Sequence, residues 1–127
     1  LLRNILDAKV GTSVSGSRDL RKIISGKPFD YPKPVKLIKT LLQTIPNKNA
    51  IVLDFFAGSG TTGQAVAELN AEEDSKREAI LITNNENNIA TDVTKIRLER
   101  VLSGKDWADG KLHPKLDQNL RILWLGE

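Results

Sequence analysis

The sequence contains no cysteine and no methionine, and aromatic side chains make up only 5% of its 127 residues. Without cysteine there is no disulfide, no thiolate-bound zinc and no cysteine nucleophile, which suits a reducing cytoplasm. No apolar run approaches the ~20 residues that a membrane-spanning helix needs, so we predict a soluble, cytoplasmic protein. Because the chain begins Leu1-Leu2 and has no methionine, we expect it to be a piece of a longer protein.

The remaining composition, 39% hydrophobic and 28% charged, is typical of a globular domain. The net charge of +3 is unevenly distributed. Residues 1–48 hold 10 basic and 3 acidic side chains, whereas residues 49–127 hold 9 basic and 13 acidic ones. A segment as basic as residues 1–48 suits a phosphate backbone, although an ordinary solvated surface explains its charge equally well.

One stretch combines an apolar run with a cluster of glycines. Ile51 to Phe56 predicts a fully buried parallel strand, which needs cover on both faces. Gly58, Gly60 and Gly63 follow it, and apolar residues then recur at helical spacing. A strand, a glycine turn and a helix N-terminus together predict a ligand-binding loop.

Three interpretations of this loop compete. A triphosphate-binding loop would continue with Lys and Ser or Thr, but the chain has Gln64 and Ala65 there. The spacing Gly58-x-Gly60-x-x-Gly63 fits a dinucleotide-binding module of an oxidoreductase, which remains our alternative. The third interpretation also uses Asp54 at the strand end and Phe56 behind it.

The pattern Asp54-x-Phe56-x-Gly58-x-Gly60 resembles the S-adenosylmethionine-dependent DNA amino-methyltransferases, whose F-x-G-x-G motif corresponds to Phe56 to Gly60. Phe29 to Pro34 resembles the F-x-x-P-K-P segment that lies upstream in relatives whose catalytic half comes first. The resemblance covers about Asn4 to Leu125 and is strongest to the modification subunits of type III restriction systems.

This resemblance implies a site for S-adenosylmethionine. Asp54 would lie near the methionine ammonium group, and Lys33 would pair with the methionine carboxylate. Glu86, the only acid in the stretch Asn84 to Asn88 that ends the second predicted strand, would accept hydrogen bonds from the ribose, although its charge equally suits a helix N-terminus. The expected cofactor-binding residues are Phe29, Tyr31, Pro32, Lys33, Asp54, Phe56, Ala57, Gly58, Ser59, Gly60, Thr61, Thr62 and Glu86.

The catalytic tetrapeptide of that family, Asp-Pro-Pro-Tyr or similar, is absent from the sequence, because no Asp, Asn or Ser precedes two prolines. We therefore predict the C-terminal, cofactor-binding part of a restriction-modification DNA methyltransferase, with adenine N6 as the favoured target and no activity in this part alone. We assign no catalytic residue and no metal ligand, since His113 has no cysteine or second histidine to share a metal. The expected partners are DNA, through the complete protein, a restriction subunit, and a second copy that pairs through an exposed sheet edge.

The expected fold is a partial, Rossmann-like α/β methyltransferase fold with about three parallel strands and flanking helices. The strands begin at Ile51, Ala79 and Leu120, in the order 3-2-1. Residues 1–27 are expected to form a basic connector, including Gly11 to Ser17, and a short helix, whereas residues 28–127 form the cofactor-binding portion. In the helix that ends near Gly104, Arg97 and Arg100 are expected to project away from the apolar face.

Overall fold

The structure is a computed structural model and describes residues 7–126, apart from the side chain of Ala8. Short turns of 3-10 helix cover Ala8–Val10 and Glu86–Asn88, and a π-helical turn covers Ala90–Thr94. The longer elements are α1 (Ser13–Ile23), α2 (Val35–Gln43), β1 (Ile51–Asp54), α3 (Thr61–Glu73), β2 (Glu78–Leu81) and α4 (Lys95–Ser103).

β1 and β2 pair in parallel, in a register that runs from Ile51 opposite Glu78 to Asp54 opposite Leu81. Because α3 connects them, both strands end at the same edge of the sheet, as parallel strands joined by a helix must. The prediction of an α/β fold with these two strands is confirmed.

The third predicted strand, Leu120 to Leu125, is wrong. This segment has no regular structure in the described chain, and the side chains of Leu123, Trp124 and Leu125 are 70%, 60% and 98% exposed. Its apolar pattern fits a strand, but a strand forms only where a neighbour accepts its backbone hydrogen bonds. Within residues 7–126 the sheet has two strands, β1 and β2.

Helices α2 and α3 cover one face of the sheet. Their buried core consists of Val35, Leu42, Ala65, Val66 and Leu69, against which Val52 of β1 packs. On the opposite face Ile51, Leu53, Ile80 and Ile82 are 65%, 50%, 48% and 43% exposed, and we call these four residues the bare sheet face. The prediction of a fully buried strand is therefore wrong for the described chain, because its helices cover only one side.

α1 begins inside the stretch that we expected to be a connector. Thr12 and Ser15 form a capping box, in which the Ser15 N–H donates to Thr12 Oγ1 and the Thr12 N–H donates to Ser15 Oγ. The buried Gly16 lets the helix approach the proline-rich segment closely, since a Cβ there would collide with the Pro32 carbonyl. The polar residues from Gly11 to Ser17 therefore start a helix instead of forming a loop.

α4 ends where the sequence predicts, at Gly104, whose φ of 70° is left-handed. Beyond it, the His113 ring stacks on Trp107 with a centroid distance of 3.6 Å and bonds to Asp109 over 3.0 Å. Among residues 7–126 no group of three acidic, histidine or cysteine side chains is arranged to hold a metal ion. None of the described helices is long and apolar enough to cross a membrane.

Candidate functional site

The residues from Phe55 to Gly60, which we call the glycine loop, join β1 to α3 at the carboxyl edge of the sheet. The buried Ala57 donates its N–H to the carbonyl of Ile82 beyond β2, over 3.0 Å. Gly58 and Gly60 have φ angles of 52° and 83°, the left-handed region that glycine adopts without strain. Gly60 is the N-cap of α3, so the loop ends where the first N–H groups of that helix are free to bind a ligand.

Asp54, the last residue of β1, links the start of the glycine loop to the first turn of α3. One carboxylate oxygen accepts from the Phe56 N–H over 2.9 Å, and the other accepts from the Thr62 hydroxyl over 2.6 Å. Each oxygen keeps a further lone pair, so the carboxylate can accept a ligand ammonium group as well. The structure thus gives Asp54 a role in loop shape that the sequence did not reveal.

The structure brings the upstream segment, Phe29 to Pro34, against the glycine loop. A Cβ added to Gly58 would lie 3.3 Å from Cζ of Phe29, so the ring packs directly on that glycine. The Thr61 hydroxyl donates to the Lys33 carbonyl over 3.1 Å, and Pro32 is fully buried. Two motifs separated by more than twenty residues in sequence therefore form one surface.

Two aromatic side chains of the predicted site are open to solvent. Tyr31 is 76% exposed and Phe56 is 92% exposed. Tyr31 also has a φ of 54°, which is uncommon for a bulky residue other than glycine, and strained backbone of this kind clusters at functional sites. Lys33, in the same segment, is exposed too. These side chains are available to a ligand, whereas the buried Ser59 and Thr61 support the loop from within.

Glu86 follows β2 at the same edge of the sheet as the glycine loop and is exposed. Its own N–H donates to the Asn84 side chain over 3.2 Å. The neighbouring Asn85 has a different task, since its Oδ1 accepts from the N–H groups of Ala90 and Thr91 over 3.0 and 3.2 Å. Asn85 therefore caps the next helical segment, and Glu86 is the exposed acidic side chain of this turn.

The expectation that Arg97 of α4 projects away from the apolar face is wrong. Arg97 is 0% exposed and lies beneath the glycine loop. Its Nη1 donates to the Ser59 carbonyl, the Ser59 hydroxyl and the Thr61 hydroxyl over 3.3, 3.0 and 3.0 Å. Its Nε donates to the side-chain oxygen of Gln64 over 2.8 Å.

The sequence does contain a signal that Arg97 is buried. Arg97 lies four residues after Val93 and four before Val101, both of which are buried, so all three share one face of the helical segment. A cation in the middle of an apolar stripe indicates a buried, hydrogen-bonded group instead of a solvated one.

Burial lowers the pKa of Arg97 to about 10, so the guanidinium is still charged at neutral pH. Nη2 has no hydrogen-bond partner in the described part of the chain. A buried charge of this kind does not by itself indicate that the residue stabilises the fold. The hydrogen bonds of Arg97 to Ser59 and Thr61 instead hold the shape of the glycine loop.

Comparison with known proteins agrees with this geometry. Residues 6–95 match the model of the DNA methylase family, and the chain belongs to that family.

Curated relatives include subunits of restriction-modification enzymes. The StyLTI Mod subunit of a type III enzyme from Salmonella typhimurium is 40% identical over 74 residues, which is 58% of this chain. The EcoPI Mod subunit of Escherichia phage P1 is 43% identical over 57% of the chain, and the type II methyltransferase M.KpnI of Klebsiella pneumoniae is 39% identical over 54%. The aligned segments are 11%, 11% and 16% of these relatives, so the chain spans only a small part of their length.

Proposed function

We propose that this chain is the S-adenosylmethionine-binding part of a DNA methyltransferase that modifies the N6 atom of adenine in a restriction-modification system. The single observation that carries the proposal is the docking of the Phe29 to Pro34 segment on the glycine loop, through Phe29 on Gly58 and Thr61 on Lys33. Membership of the DNA methylase family and the names of the relatives support it.

The residues of this surface fit the cofactor chemically. Glycines at left-handed φ allow close approach of a ligand to the backbone, and the α3 N-terminus favours a carboxylate. We propose that Asp54 receives the ammonium group, that Lys33 and the N–H groups of Thr61 and Thr62 face the carboxylate, and that Glu86 accepts from the ribose. The Thr61 and Thr62 hydroxyls already donate to the Lys33 carbonyl and to Asp54. The remaining contacts are assigned to Phe29, Tyr31 and Phe56 and to the backbone of Gly58, Ser59 and Gly60, while the buried Pro32 and Ala57 shape the site. When bound, the cofactor supplies an electrophilic methyl group.

The dinucleotide alternative rests on Gly58-x-Gly60-x-x-Gly63 alone, and the family match does not favour it. It leaves Asp54 and the docked segment without a role. In the complete protein, we propose that residues 28–127 belong to a Rossmann-like methyltransferase domain, preceded by the basic segment 1–27. DNA, and a restriction subunit as in type III enzymes, are the proposed partners.

The complete protein should transfer a labelled methyl group to DNA, whereas residues 1–127 alone should not. Methyl transfer requires the amino nitrogen to be held in line with the methyl donor, and such positioning can account for about 7–11 kcal/mol of a barrier. The sequence does not contain the catalytic tetrapeptide, Asp-Pro-Pro-Tyr or similar, that would provide this positioning. Incorporation is measured into mixed-sequence DNA, with a blank lacking protein. Incorporation by the isolated chain would mean that a catalytic group lies within it, and labelling of another DNA atom would contradict adenine N6.

Glu86→Ala should weaken the binding of S-adenosylhomocysteine about ten- to a hundredfold, because a charged acceptor contributes about 1.5–3 kcal/mol per hydrogen bond. Isothermal titration calorimetry measures the affinity. Glu78→Ala is the matched control, since Glu78 is exposed at the opposite end of β2 and carries the same charge. Equal affinities of the two variants would remove Glu86 from the site.

The isolated chain should self-associate through the bare sheet face and the unpaired strand edges beside it, since such surfaces favour association. Light scattering should show a mass that rises with concentration. Leu53→Lys, on the bare sheet face, should lower that mass, whereas Leu112→Lys should not, although Leu112 is 85% exposed. A monomer at every concentration would contradict this proposal.

A further inference from the structure

The N-terminal part of α4, with the turn before it, holds the glycine loop from below at two successive carbonyl groups. The Thr94 hydroxyl donates to the Gly58 carbonyl over 2.6 Å. Arg97 Nη1 donates to the next carbonyl, that of Ser59, and to the hydroxyls of Ser59 and Thr61. Both carbonyls are therefore turned towards α4.

Thr94 and Arg97, which together we call the clamp, fix the direction of the loop's amide groups. In a trans peptide the carbonyl and the following N–H point in opposite directions. Since the Gly58 carbonyl is held by Thr94, the Ser59 N–H points away from α4. The next amide, that of Gly60, donates to the Ala57 carbonyl over 2.8 Å. The Arg97 bond to the Ser59 carbonyl likewise turns the Gly60 N–H away from α4, and this N–H closes the turn of the loop at Ala57.

Arg97 also connects this clamp to α3. Its Nε donates to Gln64 Oε1, while the Gln64 side-chain nitrogen donates to Glu68 over 2.8 Å. A planar guanidinium can reach Ser59, Thr61 and Gln64 at once because its donors lie in a rigid fork. A lysine ammonium is a single point and cannot span the same set. The charge is kept despite full burial, which is difficult to explain by stability alone.

Building on the proposed function, we propose that Arg97 is a positioning residue: it holds the Ser59 carbonyl and the hydroxyls of Ser59 and Thr61 against α4, beside the Gly58 carbonyl that Thr94 holds, and so keeps the glycine loop in the shape that S-adenosylmethionine requires. It acts through the loop and does not touch the cofactor, since its side chain is wholly buried.

The test is Arg97→Lys in the complete methyltransferase. The dissociation constant for S-adenosylhomocysteine and the KM for S-adenosylmethionine should rise at least tenfold, while kcat at saturating cofactor and the affinity for DNA stay near their wild-type values. Arg100→Lys is the control, because Arg100 lies on the same helix and donates to the Ile23 carbonyl over 2.7 Å, away from the loop. Its KM should be unchanged.

Two further variants keep the test decisive if Arg97→Lys does not fold. Thr94→Val removes the donor to Gly58, and Ser59→Ala removes one acceptor of Arg97; each should raise the KM for the cofactor severalfold without lowering kcat. An unchanged KM in folded Arg97→Lys, or in both other variants, overturns the inference while the proposed function stands. A wild-type protein that does not bind S-adenosylhomocysteine overturns the proposed function and this inference with it.

Discussion

Replacing Asp54 by alanine should lower the affinity for S-adenosylhomocysteine by about a hundredfold or more. The carboxylate accepts two hydrogen bonds, from the Phe56 N–H over 2.9 Å and the Thr62 hydroxyl over 2.6 Å. A hydrogen bond from the ammonium group to a charged acceptor contributes about 1.5–3 kcal/mol, which alone is about a ten- to hundredfold change in affinity, and ordering a loop that has lost both internal bonds lowers the affinity further. The loop would lose its shape together with the proposed partner of the ammonium group.

Asp54→Asn separates these two effects. Its amide oxygen can still accept one of the two loop bonds, but it carries no charge for an ammonium group, so its affinity should lie between those of the wild type and Asp54→Ala. Asp117→Ala is the control for a lost carboxylate, because Asp117 is exposed outside the glycine loop. If Asp54→Ala binds as tightly as the control variant, the carboxylate supports neither the loop nor the ligand.

Gly63→Ala should destabilise the fold, although alanine is favoured over glycine in a helix by about 1 kcal/mol. The added Cβ would lie 2.7 Å from Cδ2 of Leu98 and 2.8 Å from Cδ1 of Leu81, at the junction of α3, α4 and β2. Overpacking of a core typically costs about 1–3 kcal/mol. The melting temperature of the variant should therefore fall, and α4 should shift away from the glycine loop that it holds.

A double mutant tests this steric explanation. In a Leu98→Ala background the nearest methyl group is absent, so the further loss of stability from Gly63→Ala should be smaller than in the wild type. Gly110→Ala serves as a comparison for the loss of stability. Nothing lies within 4 Å of a Cβ added at Gly110, so any loss there comes from its φ of 70° and not from crowding. Additive effects of Gly63→Ala and Leu98→Ala, or a stabilised Gly63→Ala, would contradict the crowding that the structure shows.

Local sequence patterns were sufficient to predict the elements that carry the candidate site. The apolar run from Ile51 and the glycines after it predict a strand and a turn, and both are present. The docking of Phe29 on Gly58 is different, because no periodicity links residues so far apart. It agrees with the family resemblance, in which both motifs serve one ligand.

The errors share a cause, which is that burial and strand pairing depend on distant neighbours. Leu120 to Leu125 has the composition of a strand, but a strand also needs a partner beside it. The bare sheet face shows the same dependence, since apolar alternation cannot reveal what covers it. Arg97 was misplaced because a charged residue was assumed to face solvent, although its spacing from Val93 placed it on the buried face.

Calorimetric titration of the chain with S-adenosylmethionine, S-adenosylhomocysteine and NAD tests the central claim most directly. The claim is that the glycine loop and the segment docked on it form a site for S-adenosylmethionine. The account predicts that S-adenosylmethionine and S-adenosylhomocysteine bind with similar affinity, because the ammonium, carboxylate and ribose contacts are common to both. NAD should bind much more weakly. Binding of NAD as tight as that of S-adenosylmethionine, or tighter, would contradict it.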